Sequence, residues 1–143
     1  MNTIFLSIFR FQIHLLKTIR VVAAIIYRND DEFLIARKKQ GISLAGLWEF
    51  PGGKIEENEE AKFALEREIK EELNISISDL TPFIEYTYHG ENMILEMQSF
   101  KCFSSDTITH LTDHDRVEWI KASDIDHYPL APADLVIAEE LKK

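Results

Sequence analysis

Apolar residues recur along this chain with two different periods. Residues 19–27 (IRVVAAIIY) form a β-branched apolar run interrupted only by Arg20, the pattern of a strand buried on both faces. Asn29-Asp30-Asp31 supplies turn chemistry, and residues 32–36 resume as a second strand. Residues 40–46 read as a loop ahead of LWEF, and Pro51-Gly52-Gly53 then breaks the chain. From 59 to 73 there is neither Gly nor Pro and helix formers dominate. Leu65, Ile69 and Leu73 fall every fourth residue and make a single apolar stripe. Asn74 follows, a residue that tolerates the left-handed conformation in which helices often end. Residues 81–89 and 92–103 predict a strand pair turned at Gly90-Glu91, and 117–120 a further short strand. Residues 122–126 predict a helical turn and 134–141 a closing helix. This order predicts an α/β domain with a mixed sheet covered by helices on both faces.

Composition limits the partners. At 143 residues, 45% hydrophobic and 29% charged, the chain fits one globular domain. Its formal charge of −9 argues against a polymeric nucleic acid, which is gripped by clustered Lys and Arg. A small anion remains possible if a cation stands between it and the protein. Cys102 is the single cysteine, so neither an intramolecular disulfide nor a cysteine-rich zinc site can form, as expected for a reducing cytoplasm. Residues 1–29 carry +4 and no acid. Their apolar opening, MNTIFLSIFRFQIHLL, is split by Arg10, too short to span a membrane and poorly formed as a signal peptide. Residues 1–17 are therefore read as an extension of unknown role, with the domain over 18–143 and no membrane partner.

The acidity has an address. Residues 53–75 hold eight acids and four bases, a local charge of −4. Glu68, Glu71 and Glu72 lie at i, i+3 and i+4, which puts their carboxylates on one helical face. Such a face can be merely solvated, with Lys62, Arg67 and Lys70 relieving the repulsion. Here it borders the apolar stripe and follows a glycine turn whose backbone can approach a ligand closely. Converging carboxylates beside bare backbone suit a hard cation such as Mg²⁺ or Mn²⁺, which in turn can hold phosphate oxygens.

The same segment resembles the Nudix box, G-x5-E-x7-R-E-U-x-E-E-x-G-U with U aliphatic. Gly53, Glu59, Arg67, Glu68, Ile69, Glu71, Glu72 and Ile75 fill that frame, and Asn74 stands where the family has Gly. VVAAII, AGLWEFPGGK and YPLAPAD extend the resemblance to the MutT-like branch over roughly residue 18 to the C-terminus. It implies a Nudix fold, an α/β/α sandwich with a mixed sheet and a long catalytic helix. It also implies a Mg²⁺-dependent (Mn²⁺ possible) nucleoside triphosphate pyrophosphohydrolase, a monomer or homodimer, releasing a nucleoside monophosphate and pyrophosphate. The implied substrate is first 8-oxo-dGTP, in a sanitising role, and in the alternative (d)CTP. A non-catalytic Nudix-like binding module is a third reading, and the presence of every metal glutamate argues against it.

By the same resemblance Glu68, Glu71 and Glu72 hold the metal with the Gly52 carbonyl, and Arg67 orients Glu68. Glu59, the earlier acid of the box, can be structural. Asp113 is the loop candidate for general base, and an ordinary turn acid is the other reading. Lys38, or its neighbour Arg37, meets phosphate or base, unless both belong to a solvated basic loop. Phe50 flanks the base or packs in the core, and Trp119 is core. Asp134 either reads the base edge or caps the closing helix.

Overall fold

A computed structural model describes residues 16–143. Of the extension expected over residues 1–17, all but Leu16 and Lys17 lies outside the described residues, and Lys17 already opens the first strand. The elements run β1 (Lys17–Tyr27), β2 (Glu32–Lys38), β3 (Trp48–Glu49), β4 (Gly52–Lys54), α1 (Ala61–Leu73), β5 (Ser78–His89), β6 (Met93–Phe103) and β7 (His114–Lys121). Two 3-10 turns follow, Ala122–His127 and Pro132–Asp134, before α2 (Leu135–Leu141).

β1 is the spine of a mixed sheet. It runs parallel to β6 along its whole length and antiparallel to β2 and β4, while β7 and β3 pair with β2 and β5 with β6. The apolar run of β1 is explained by its two faces. Val22, Ala24 and Ile26 pack with Leu34 of β2 against Leu65, Ile69 and Leu73 of α1. Ala23 and Ile25 pack with Phe33, Ile35 and Trp48 against Ile137 and Ala138 of α2. The result is an α/β/α sandwich with two separate cores. Leu65, Ile69 and Leu73 are fully buried, each contributing about 1.5–3 kcal/mol by removal from water. Trp119 packs at the edge of the α1-side core with the Arg28 guanidinium 5.2 Å from its ring centre. No helix among the described residues is long and apolar enough to cross a membrane.

The elements depart from the expected bounds for local reasons. Gly52 and Gly53 sit within a short strand, with Val22 opposite Gly53 and Ala23 opposite Gly52. A β-carbon on Gly52 would fall inside contact distance of the Val22 carbonyl oxygen, so only glycine lets the backbone run this close. α1 starts at Ala61, two residues late, because the Glu59 carboxylate is occupied by Arg67 and by the Glu56 N–H. It ends where expected: Asn74 is left-handed, φ 53°, and its N–H bonds the Lys70 carbonyl. β7 begins at His114, three residues early, since its pairing with β2 continues to Lys38 past a register shift. β5 begins at Ser78, three residues early, with a second irregularity before Thr81, where Asp79 has φ 57°.

Candidate active site

The last two turns of α1 face β4 and present the acidic residues. Arg67 organises them. Its Nε and Nη2 donate to the two oxygens of Glu59 at 2.8 and 2.9 Å, a bidentate fork. Its Nη1 donates to Glu68 Oε1 at 2.9 Å and its Nη2 to the Lys54 carbonyl at 3.1 Å. This bonding holds the Glu59 carboxyl down at about 2, and Glu59 in turn accepts the Glu56 N–H. Glu59 thus ties the loop before α1 to the arginine that holds Glu68. The Glu68 carboxyl lies against Gly53, where any side chain would collide with it. Burial raises its pKa against the pull of Arg67.

Glu72 is the buried member of the set. It is 8% exposed, its Oε2 has no hydrogen-bond partner, and burial first, then the charge of Glu49, Glu68 and Asp113, pushes its pKa up to about 9. Glu71 lies outside, its side chain 59% exposed and 3.5 Å from Arg67 Nη1. Among the described residues no three acidic, histidine or cysteine groups stand close enough to enclose a metal ion alone. An open donor set suits a cation that keeps several waters and shares oxygens with a phosphate. The orphaned oxygen of Glu72, beside the Glu68 carboxyl and the glycine strand, fits such a cation, since a positive charge would satisfy both burial and repulsion.

Of these residues Glu72 and Gly53 line a cleft of about 250 Å³, and Arg67, Glu68 and Glu71 do not. Gly52, Phe50 and Asp134 line it as well, together with the polar Lys38, Glu49 and Asp113. Asp113 is positioned by its neighbour: Thr112 donates its N–H to the Glu72 carbonyl and its hydroxyl to the Glu71 carbonyl, tying this loop to the end of α1. Asp134 is buried, and its Oδ2 accepts the Phe50 N–H at 2.8 Å. Burial, with a lesser push from Glu49, raises its pKa to about 7. It stands at the N-terminus of α2 yet makes no capping hydrogen bond there. The Phe50 ring belongs to the α2-side core, 5.9 Å from the ring of Phe33.

The structure separates Arg37 from Lys38. Strand alternation sends them to opposite faces. Arg37 pairs with Asp115 at 2.7 Å and lies 5.9 Å from the Trp48 ring centre, away from the cleft that Lys38 lines. Sequence reasoning missed Glu49 and His114. Glu49 lies between Trp48 and Phe50, and that apolar–acidic–apolar alternation on a strand was the signal that it faces away from their core. Thr112 was also missed, and nothing in sequence marks a loop threonine as a helix-end partner.

Residues 22–140 match the NUDIX domain family, and the chain belongs to that family. It is 34% identical over 124 residues to the CTP pyrophosphohydrolase of Escherichia coli K12, a match covering 87% of this chain and 91% of that protein. It is 37% identical over 65 residues to the 8-oxo-dGTP diphosphatase of Proteus vulgaris, covering 46% of this chain and 58% of that protein. The solution structure of MutT from methicillin-resistant Staphylococcus aureus superposes with a TM-score of 0.68 at 35% identity, covering 88% of this chain and 96% of that one. The protein is a Nudix hydrolase of Nudix fold. Nudix hydrolases generally use divalent metal ions.

Proposed function

We propose that this protein hydrolyses a nucleoside triphosphate, with Mg²⁺ or Mn²⁺ bound, to a nucleoside monophosphate and pyrophosphate. The observation that carries this reading is the orphaned, buried oxygen of Glu72 in one cleft with Lys38, Asp113 and Asp134. Glu68, Glu71 and Glu72, with the backbone at Gly52, would hold the cation, which when bound would supply charge neutralisation for the polyphosphate and a more nucleophilic water. Arg67 fixes Glu68. Lys38 meets the phosphates, and Asp113, held over the end of α1 by Thr112, takes the proton of the attacking water. Phe50 supports the base end, where Asp134 reads the base.

A neutral Asp134 carboxyl offers an O–H donor at one oxygen and, at Oδ2, which already accepts the Phe50 N–H, one further lone pair. Cytosine presents the complement at N3 and N4–H₂, and 8-oxoguanine at O6 and N7–H; ordinary guanine presents it only at O6 and N1–H, since on its other edge N7 and O6 both accept, so rejection of dGTP requires that the purine be read from its N7 edge. The reading from sequence puts 8-oxo-dGTP first. The match to a CTP pyrophosphohydrolase, 34% identical over 87% of this chain, supports cytosine nucleotides, which we take first; matches to 8-oxo-dGTP diphosphatases, 37% over 46% of it in Proteus vulgaris and, for a putative one, 30% over 80% in Mycobacterium tuberculosis, support 8-oxo-dGTP as the second. The test is a turnover screen of CTP, dCTP, 8-oxo-dGTP, dGTP and ADP-ribose with Mg²⁺, read as pyrophosphate released. CTP or 8-oxo-dGTP is expected to exceed dGTP by about tenfold in kcat/KM, the worth of one good hydrogen bond. Absence of pyrophosphate from every triphosphate overturns the proposal.

A further inference from the structure

Three residues from three neighbouring strands form a row, and two of them, Glu49 and His114, are left unused by the reaction scheme above. Lys38 ends β2, Glu49 lies on β3 and His114 opens β7 directly opposite Lys38. The His114 imidazole is 1% exposed and its Nε2 stands 3.2 Å from Glu49 Oε1. The other Glu49 oxygen stands 3.7 Å from the Lys38 ammonium. Lys38 is the cation among the described residues lining the cleft, and it faces four carboxyls there: Glu49, Glu72, Asp113 and Asp134. Its charge reaches both Glu72 and Asp134, lowering the pKa of each.

A four-carbon side chain with one ammonium goes to whichever carboxylate holds it best. Glu72 has an unsatisfied oxygen that a cation would satisfy. If Lys38 settled there, it would occupy the oxygen meant for the divalent cation and withdraw its charge from the phosphates. Glu49 cannot follow it, because His114 fixes one of its oxygens.

We propose that Glu49, pinned by His114, is a positioning residue that keeps the Lys38 ammonium off Glu72 and presents it to the phosphates of the bound nucleotide. The nucleotide part of this inference rests on the function proposed above, while the relation between Glu49, Lys38 and the metal carboxylate does not. Glu49→Gln keeps an oxygen for the His114 hydrogen bond and removes the charge that holds Lys38. A merely structural role predicts little change from it.

The test is a double-mutant cycle with Lys38→Met, each protein first checked by circular dichroism and thermal unfolding. Mn²⁺ titration followed by electron paramagnetic resonance, without nucleotide, reads the metal site. Calorimetry with the α,β-methylene analogue of CTP in Mg²⁺ reads nucleotide binding, and steady-state kinetics separate KM from kcat. Glu49→Gln is expected to weaken Mn²⁺ several-fold and to raise KM and the analogue Kd about tenfold, as for loss of one charge-assisted contact, with a smaller change in kcat. In the Lys38→Met background it is expected to change each by less than about twofold, since its effect passes through Lys38. His114→Gln, which loosens the pin but keeps the Glu49 charge, shifts the same quantities in the same direction and less. Equal losses in both backgrounds, or no loss in either, overturn the proposal. A wild-type protein that releases no pyrophosphate would instead overturn the nucleotide reading, and the Mn²⁺ cycle would still decide the positioning role.

Discussion

At the scale of single residues, the strongest constraint falls on Glu72. A carboxyl whose pKa folding raises from 4.5 to about 9 binds its proton more tightly in the folded chain than in the unfolded one. Below the unfolded value both states are protonated and nothing is lost. As pH climbs toward 9 the unfolded chain ionises while the folded chain must hold a proton or carry a buried charge, so stability falls across that window. Asp134 adds a loss of the same sign between its ordinary value of 3.8 and about 7. The metal-free protein is therefore expected to become steadily less stable from pH 5 to pH 9 in chemical denaturation. Glu72→Gln flattens that slope and exceeds the wild type in stability at pH 8, because an amide has no proton to hold against ionisation in the unfolded chain. The same variant is expected to lose metal-dependent turnover by at least about a hundredfold, and full turnover would remove Glu72 from the metal set. Asp134→Ala tests the second buried carboxyl of the cleft. It frees the Phe50 N–H at a cost of about 1 kcal/mol and is expected to shift the ratio of CTP to dGTP turnover more than the rate itself. A change confined to thermal stability would make Asp134 structural.

At the scale of elements, α1 is a scaffold whose charges are set by one arginine. Lysine at position 67 could not reproduce the fork to Glu59, the bond to Glu68 and the bond to the Lys54 carbonyl together. Arg67→Lys is expected to cost about 1–3 kcal/mol in denaturant unfolding and to weaken Mn²⁺ binding. If Mn²⁺ binding holds while stability falls, Arg67 serves the fold alone. This helix was the part of the molecule best seen in sequence, since its stripe of Leu65, Ile69 and Leu73 and its left-handed Asn74 are local signals with a fixed period. The strand at Gly52–Lys54 was read as a break because glycine has no side chain with which to show alternation, and its reason for being there is a close approach to Val22. Arg37 and Lys38 could not be told apart because the register shift between them is set by pairing with β7, a partner more than seventy residues away. Glu49 and His114 meet across 65 residues of chain, and neither carries a local sign of the other. Fold and acidic helix were thus visible in short-range pattern, while the lining of the cleft is a product of long-range register.

At the scale of the whole molecule, an acidic protein with a net charge of −9 gains stability from any cation that screens it, so Mg²⁺ alone proves little about a site. Geometry separates the two effects. Screening acts on all the acids together and fades as potassium chloride is raised, because exposed charges beyond about 10 Å cease to interact at 0.1 M salt. Binding at Glu72 acts at a buried oxygen that monovalent salt does not satisfy. It is also opposed by the proton there, whose affinity reaches up to about pH 9. In 0.15 M potassium chloride, Mg²⁺ at a hundred times its dissociation constant is expected to add about 2.7 kcal/mol, some 9 °C in Tm for a chain of this size. The gain at a fixed Mg²⁺ concentration grows as pH rises from 6 toward 9 and is reversed by a chelator. Glu72→Gln removes one charge of many but the one buried carboxylate among the three proposed to hold the cation. A thermal shift that survives this substitution is screening, and one that vanishes with it places the cation on the buried carboxylate that joins α1 to the cleft.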